Sequence, residues 1–367
     1  MAGKAAKKLN VVLFLGSTRE GRFGLRVAKF VQKQLEARNY QVELFDPVVL
    51  KFPMLEKPTH FYQDRSKIPK WLLECEEKIK AADAYVVVSA EYNHSIPPAL
   101  SNMLNHFPGS IFSYKPSAIV TYSMGIYGGM RAAMQLRAFL SELGTLSVSN
   151  IFGIPEVHKA LDENGKPLND HLDKGADTLL KQLDWMAWAM KNHRDAQGKK
   201  LENKHFNVDV FDPLHLKFPL LERTIYSYED RSKLPKWMVE CDDKVKAADA
   251  FVVLSTEYNH SIPPALSNML DHFAASHFAY KPSAIVSYSY GIYGGMRAAM
   301  QLRSFLSELG TPSVSNIFGI PEVHKALDES GQPLNEHMVP GAELIIKQLD
   351  WMARAMKNHR DAYGIPK

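Results

Sequence analysis

The chain has 367 residues, 46% of them hydrophobic and 23% charged, with 44 lysines and arginines against 40 aspartates and glutamates and a net charge of +4. That length and composition suit two ordinary domains and exclude a small stapled scaffold or a disordered chain, while the interspersed charge excludes a basic nucleic-acid groove. Two cysteines, Cys75 and Cys241, are too few for a disulfide framework or a cysteine-rich zinc site, and the 14 histidines fall in no ligand spacing, so no metal is expected.

The opening MAGKAAKK is basic without an apolar stretch, and no run of 18 apolar residues follows, which predicts a cytoplasmic protein with no membrane contact. Strands are predicted at the short apolar or β-branched runs Val11–Leu15, Val42–Phe45, Tyr85–Ser89, Ala118–Tyr122 and Val148–Phe152. Helical spacing fills the intervals at Leu25–Leu35, Ile68–Ala82, Pro97–Phe107 and Gly129–Leu143, and again at Ala176–Met190. Cys75 lies on an apolar helix face with Trp71, as does Cys241 with Trp237, which suits buried structural thiols. Alternating β and α elements with nearly continuous apolar strands imply an α/β fold, a doubly wound parallel sheet covered on both faces, in the flavodoxin-like order 2-1-3-4-5.

The pattern then repeats. Residues 40 to 198 align without a gap onto 206 to 364, with about seven in ten positions identical. Residues 9 to 34 have no second version, so the second copy lacks the first strand, the loop after it and most of the first helix. We therefore expect two domains, residues 1–198 complete and 199–367 truncated. The strand expected at Val208–Phe211 is left without the neighbour it should have.

Three strand ends carry chemistry. The first strand runs into Gly16-Ser17-Thr18-Arg19-Glu20-Gly21-Arg22 and then a helix, a glycine turn that offers N–H groups and a positive dipole end to an anion. Two hydroxyls and two arginines occupy places that a dinucleotide loop keeps bare, and Arg22-Phe23 stands where a Walker loop needs Lys and Ser/Thr. The anion favoured is a terminal phosphate, although the segment would also serve as a plain entry to a helix. After the third strand comes Ala90-Glu91-Tyr92-Asn93-His94-Ser95-Ile96-Pro97-Pro98, and after the fourth Tyr122-Ser123-Met124-Gly125-Ile126-Tyr127-Gly128-Gly129. Both belong to the rim where sheets of this order bind ligands, and the glycines let a backbone approach a flat ring.

With its GSTREGR, EYNHSIPPALSN and GIYGGMRAAMQLR segments, the chain resembles the NADPH-dependent FMN reductases, the flavodoxin-like group that includes quinone and azo-dye reductases. The resemblance implies that Ser17, Thr18, Arg19 and Arg22 hold the FMN phosphate, that Glu91, Tyr92 and Asn93 line the isoalloxazine ring, and that Ser123, Gly125, Gly128 and Gly129 cradle its other side. It implies an enzyme that passes hydride from NADPH or NADH through FMN to a small-molecule acceptor such as a quinone, free flavin or azo compound, with no catalytic side chain. His94 and His260 are read as spectators beside the ring. The second copy keeps Glu257, Tyr258, Asn259, Ser289, Gly291, Gly294 and Gly295 without a phosphate loop, which implies one FMN per chain and a truncated half acting as built-in dimer partner. A homodimer of chains is the other arrangement, and a non-catalytic flavin-binding or scaffold protein is the alternative function.

Overall fold

The computed structural model of the chain describes residues 8–198 and 206–366. They divide into two compact units, one reaching Asp195 and the other running from Ala196 to Ile365. In the first unit, strands β1 (Leu9–Leu15), β2 (Tyr40–Phe45), β3 (Ala84–Ala90), β4 (Pro116–Tyr122) and β5 (Leu146–Ile154) form one parallel sheet in the expected order β2-β1-β3-β4-β5. Strand β1 is paired on both edges, with Val11 opposite Val42 on one side and Ala84 on the other. Its apolar run is continuous because both faces of the sheet are covered.

Helices α1 (Gly24–Ala37), α2 (Lys70–Ala81), α3 (Pro98–Asn105), α4 (Met130–Glu142) and α5 (His171–Gln197) complete the unit. Helix α1 buries Val27, Phe30, Val31 and Leu35, a stripe at helical spacing. On the opposite face, Phe14, Phe45, Tyr85 and Phe112 pack with Ile79, Leu100, Met103 and Leu136. Helix α5 extends well beyond the predicted Ala176–Met190 at both ends, and its Leu183, Trp185, Met186 and Met190 are buried. Cys75 is buried as well, and burial pushes its thiol up to about 11, which suits packing rather than redox reactivity.

The second unit contains α6 (Lys236–Ala247), β6 (Phe251–Thr256), α7 (Pro264–Asp271), β7 (Ser283–Tyr288), α8 (Met296–Glu308), β8 (Ser313–Ile320) and α9 (Met338–Tyr363). Its sheet has three strands, β6-β7-β8. The sequence reading of Val208–Phe211 as a strand is corrected: these residues are unpaired and largely exposed. The reason is physical. Their counterpart β2 bonds only to β1, so without a β1 the segment has no ladder to join. The same loss uncovers β6. Val86 and Val88, beneath α1 in the first unit, are 0% exposed, whereas their equivalents Val252 and Leu254 are 44% and 63% exposed.

Candidate functional site

The loop after β1 is shaped for an anion. Gly16 is held by its N–H on the Val88 carbonyl, and a Cβ there would meet Leu100 and that carbonyl at 3.2 Å. Among the described residues, no backbone carbonyl accepts from the N–H groups of residues 17 to 21. They stand just ahead of α1, whose first residue follows Phe23 without a side-chain cap. Ser17 is buried and its Oγ lies 2.7 Å from the Tyr92 hydroxyl, while Thr18 and Arg19 are exposed. The Arg19 guanidinium sits 3.7 Å over the Tyr92 ring, a cation–π contact that ties this loop to the one after β3.

Arg22 is engaged by the protein itself. Its guanidinium bonds to the Ser17 carbonyl and, at 2.5 Å, to the Asp46 carboxylate, with both side chains of the ion pair nearly buried. It therefore braces the loop from behind. Asp46 also caps the helical turn that follows β2 by accepting from the Val48 N–H. The Asp-Pro at the end of β2 signals that cap, but the reach of Arg22 across two strand ends is a tertiary fact that no local pattern contains. Tyr122, at the end of β4, was likewise missed. Its hydroxyl is buried beside Ser17 and lies so close to α1 that a Cβ on Gly24 would stand 2.3 Å from it. Burial pushes that phenol well above its ordinary range.

After β3, Tyr92 and Ser95 exchange backbone hydrogen bonds at 3.1 and 2.9 Å, enclosing Asn93 and His94 at φ of 50° and 61°. This is a two-residue turn of the I′ kind, where asparagine is well tolerated. It is anchored to α4 by Gln135, which donates to the His94 carbonyl and accepts from Ser95 Oγ. Glu91 also turns to α4, accepting from the Arg131 and Ala132 N–H groups at 3.1 and 3.4 Å and pairing with the Arg131 guanidinium. Burial alone would raise the Glu91 carboxyl, but these donors hold it below its ordinary value of 4.5. Its side chain thus fixes the loop, and Tyr92 and Asn93 are what the loop presents.

After β4, Ser123 Oγ donates to the Gly125 carbonyl at 2.9 Å. Gly128 and Gly129 are required by the protein itself, at φ of 56° and 81°, since a Cβ on either would strike the ends of β4 and β5 at 3.0 Å. Gly125 is different, because a Cβ there would meet nothing within 4 Å. The N–H groups of residues 124 to 127 also lack a backbone acceptor among the described residues. Among the described residues, a run of amides without backbone acceptors, a buried serine and open space beside a glycine loop together fit a phosphate-bearing flavin.

The second unit repeats the backbone turns and anchoring hydrogen bonds of the two later loops. Tyr258 and Ser261 enclose Asn259 and His260 at φ of 49° and 61°, Gln301 anchors them, and Glu257 binds the Arg297 and Ala298 N–H groups. With no counterpart of Ser17 or Arg19 to cover it, the Tyr258 ring is exposed.

No group of His, Cys, Asp or Glu that could hold a metal occurs among the described residues, nor is any described helix long and apolar enough to cross a membrane. Similarity to known proteins is strong. A quinone reductase of Escherichia coli (strain K12) is 34% identical over 138 residues, covering 37% of this chain and 71% of that protein. An NADPH azoreductase of Bacillus sp. (strain OY1-2) is 26% identical over 163 residues, 44% of this chain and 86% of that protein. Among solved structures, the flavoenzyme NAD(P)H:(acceptor) oxidoreductase FerB from Paracoccus denitrificans aligns with a TM-score of 0.40 at 23% identity, covering 48% of this chain and 97% of that one. The sequence profile of one family matches twice, over residues 9–159 and again over 185–325, in step with the duplication, so the chain belongs to the NADPH-dependent FMN reductase family as a tandem of two copies.

Proposed function

We propose that the first unit binds one FMN and is an NAD(P)H-dependent oxidoreductase of quinone, free-flavin or azo-type acceptors, and that the truncated unit serves as its built-in partner in a cytoplasmic pseudo-dimer. The observation that carries this reading is the loop of residues 17 to 21, whose N–H groups lack backbone acceptors among the described residues and which is tied through Ser17 and Arg19 to Tyr92. FMN held there would supply the redox chemistry, hydride transfer between NAD(P)H and the acceptor.

The residues of the chain bind and orient. The amides of the first loop, with the Ser17 and Thr18 hydroxyls and the Arg19 charge, hold the phosphate, and Arg22 keeps the loop in shape through Asp46. Tyr92 and Asn93 present one wall of the ring site. Ser123 shapes the opposite loop, Gly125 leaves the ring room, and Gly128 and Gly129 let that loop turn against the sheet. Unpaired amides at residues 124 to 127 offer donors to carbonyls on the ring edge. No side chain is needed as a nucleophile. The second unit lacks the phosphate loop, and each charge-assisted bond forgone is worth about 1.5–3 kcal/mol, which lowers FMN affinity there by orders of magnitude. The duplication and the paired family match support the partner role, with residues 1–198 and 199–367 as its halves.

The test is flavin content and reducibility measured together. Protein reconstituted with excess FMN and desalted is expected to retain one FMN per chain, bleached by anaerobic NADPH and restored by a quinone. Retention of none would turn the assignment to a scaffold, and retention of two would overturn the role given to the first loop.

A further inference from the structure

The second unit has lost the phosphate loop and kept the ring loops in working geometry. The Asn259-His260 turn has the same backbone as Asn93-His94, and Glu257 is fixed to α8 by the same three donors that fix Glu91 to α4. Gly294 and Gly295 repeat the φ of Gly128 and Gly129. Gly291, like Gly125, borders open space, and no backbone carbonyl among the described residues accepts from the N–H groups of residues 290 to 293. One loop has also changed. Tyr290 stands where the first unit has Met124, and its ring stacks on His324 at 5.1 Å between centroids and 24° between planes. The corresponding His158 packs instead against Phe23, a residue of the missing segment. The truncation has thus been accompanied by a new aromatic surface beside the retained amides.

We propose that these two loops of the second unit form a separate binding site for a flat, carbonyl-edged conjugated ring, an isoalloxazine or a quinone, and that the site is indifferent to a 5′-phosphate. The stacked Tyr290 and the exposed Tyr258 supply apolar and aromatic contact area, while the amides of residues 290 to 293 supply donors for the ring carbonyls. The repeat of this unit has no residues that match Ser17, Thr18 and Arg19 of the first. A phosphate on the ligand therefore adds nothing, and affinity comes from the ring alone. This assignment rests on reading the equivalent loops of the first unit as a flavin site.

The experiment uses the full chain, with the first site filled by FMN and excess removed. Riboflavin, FMN and a soluble naphthoquinone are then titrated separately, with binding followed by calorimetry and, for the flavins, by fluorescence quenching. A second class of site is expected, with riboflavin and FMN agreeing within about threefold, while competition at the first site favours FMN over riboflavin by about a hundredfold or more. The naphthoquinone arm separates the two sources: displacement of riboflavin by the quinone shows that the site takes either ring, and no displacement restricts it to isoalloxazines. Gly291→Val fills the open space beside the loop without meeting a neighbour, and it should weaken the second class at least tenfold while one FMN per chain is retained. Tyr290→Ala, which removes the stacked ring, should weaken it less. Absence of a second class, a preference for FMN of tenfold or more within it, or binding untouched by both variants would overturn the proposal. Failure of the first site to retain FMN would instead overturn the flavin reading on which it stands.

Discussion

The two units make a controlled comparison, because one sequence has folded twice, with β1 and α1 and without them. Loop geometry survives the loss unchanged. The turn after β3 and its counterpart after β6 agree within a degree in φ, and both acidic residues bind the next helix in the same way. Burial does not survive it, as the uncovered Val252 and Leu254 demonstrate. The difference separates two kinds of instruction. Turn shape is written in residues a few dozen positions apart that carry their own hydrogen bonds, whereas burial is conferred by whichever elements arrive alongside. Withholding a valine- or leucine-sized side chain from the core forgoes about 1.5–3 kcal/mol at full exposure, so the second unit is expected to be the less stable half.

The largest expected effect sharpens this contrast at Asp46 and Asp212. Both cap a helical turn, but Asp46 also neutralises Arg22 with side chains 8% and 10% exposed, whereas the Asp212 side chain is 44% exposed and pairs with exposed His215. Asp46→Ala strands a buried charge and should cost about 3–5 kcal/mol of the first unit's stability and release its FMN. Asp212→Ala should cost only about the 1 kcal/mol of a lost cap. Urea unfolding of the two variants checks the ratio, and equal losses would break the comparison.

Glu91→Gln and Glu257→Gln should behave alike, each losing about 1.5–3 kcal/mol at pH 7 because the charge-assisted bonds to the helix start are local and present in both units. Both carboxyls are held below their ordinary 4.5, by Arg131 and helix amides that outweigh burial at Glu91 and by the Arg297 side chain foremost at Glu257. A depressed acid contributes stability that is fully present above its unfolded value and lost as pH falls through the folded one. The deficit of either variant against the parent should therefore shrink below pH 4.5 in an acid titration of unfolding.

A pH-dependent effect confined to the second unit concerns Lys281, which burial, helped by nearby Arg360, pushes down to about 8. A depressed base carries a penalty that is full below its folded value and relieved as pH rises towards the ordinary 10.5, because over that window the unfolded chain binds the extra proton. The second unit should gain stability as pH rises from 8 to 10.5, and Lys281→Met should flatten that slope in thermal unfolding followed across the same range.

Much of the architecture was legible in the residues. Five apolar runs alternating with helical spacing suited the strand order that the first unit adopts, and the gapless repeat located the missing piece. The loops at the strand ends were legible too, since Gly128-Gly129 marks where the backbone must turn sharply. What escaped was direction. Arg22 and Glu91 have the right chemistry to face a ligand, yet each is turned towards the protein by a partner, Asp46 or Arg131, that lies close only after folding. Tyr122 escaped for the same reason, because nothing in a strand sequence announces which hydroxyl will be sealed beneath a helix start. The failed strand at Val208–Phe211 shows the converse, a segment with strand composition that stays unpaired because its neighbour is missing.

The bare edge of β6 has a consequence for how the chain folds. Phe251–Thr256 keeps the apolar character of β3, with three of six positions identical, so a single β1–α1 segment meets two similar docking edges as the polypeptide collapses. The separation from β1 to β6 is roughly threefold longer than that to β3, which loop-closure entropy makes worth only about 1 kcal/mol. Synthesis from the N-terminus widens that narrow margin into a kinetic one, because β3 emerges first and captures β1 before its rival exists. Refolding from denaturant removes the head start, and a slow, misdocked fraction is the expected signature of a chain in which two edges compete for one strand.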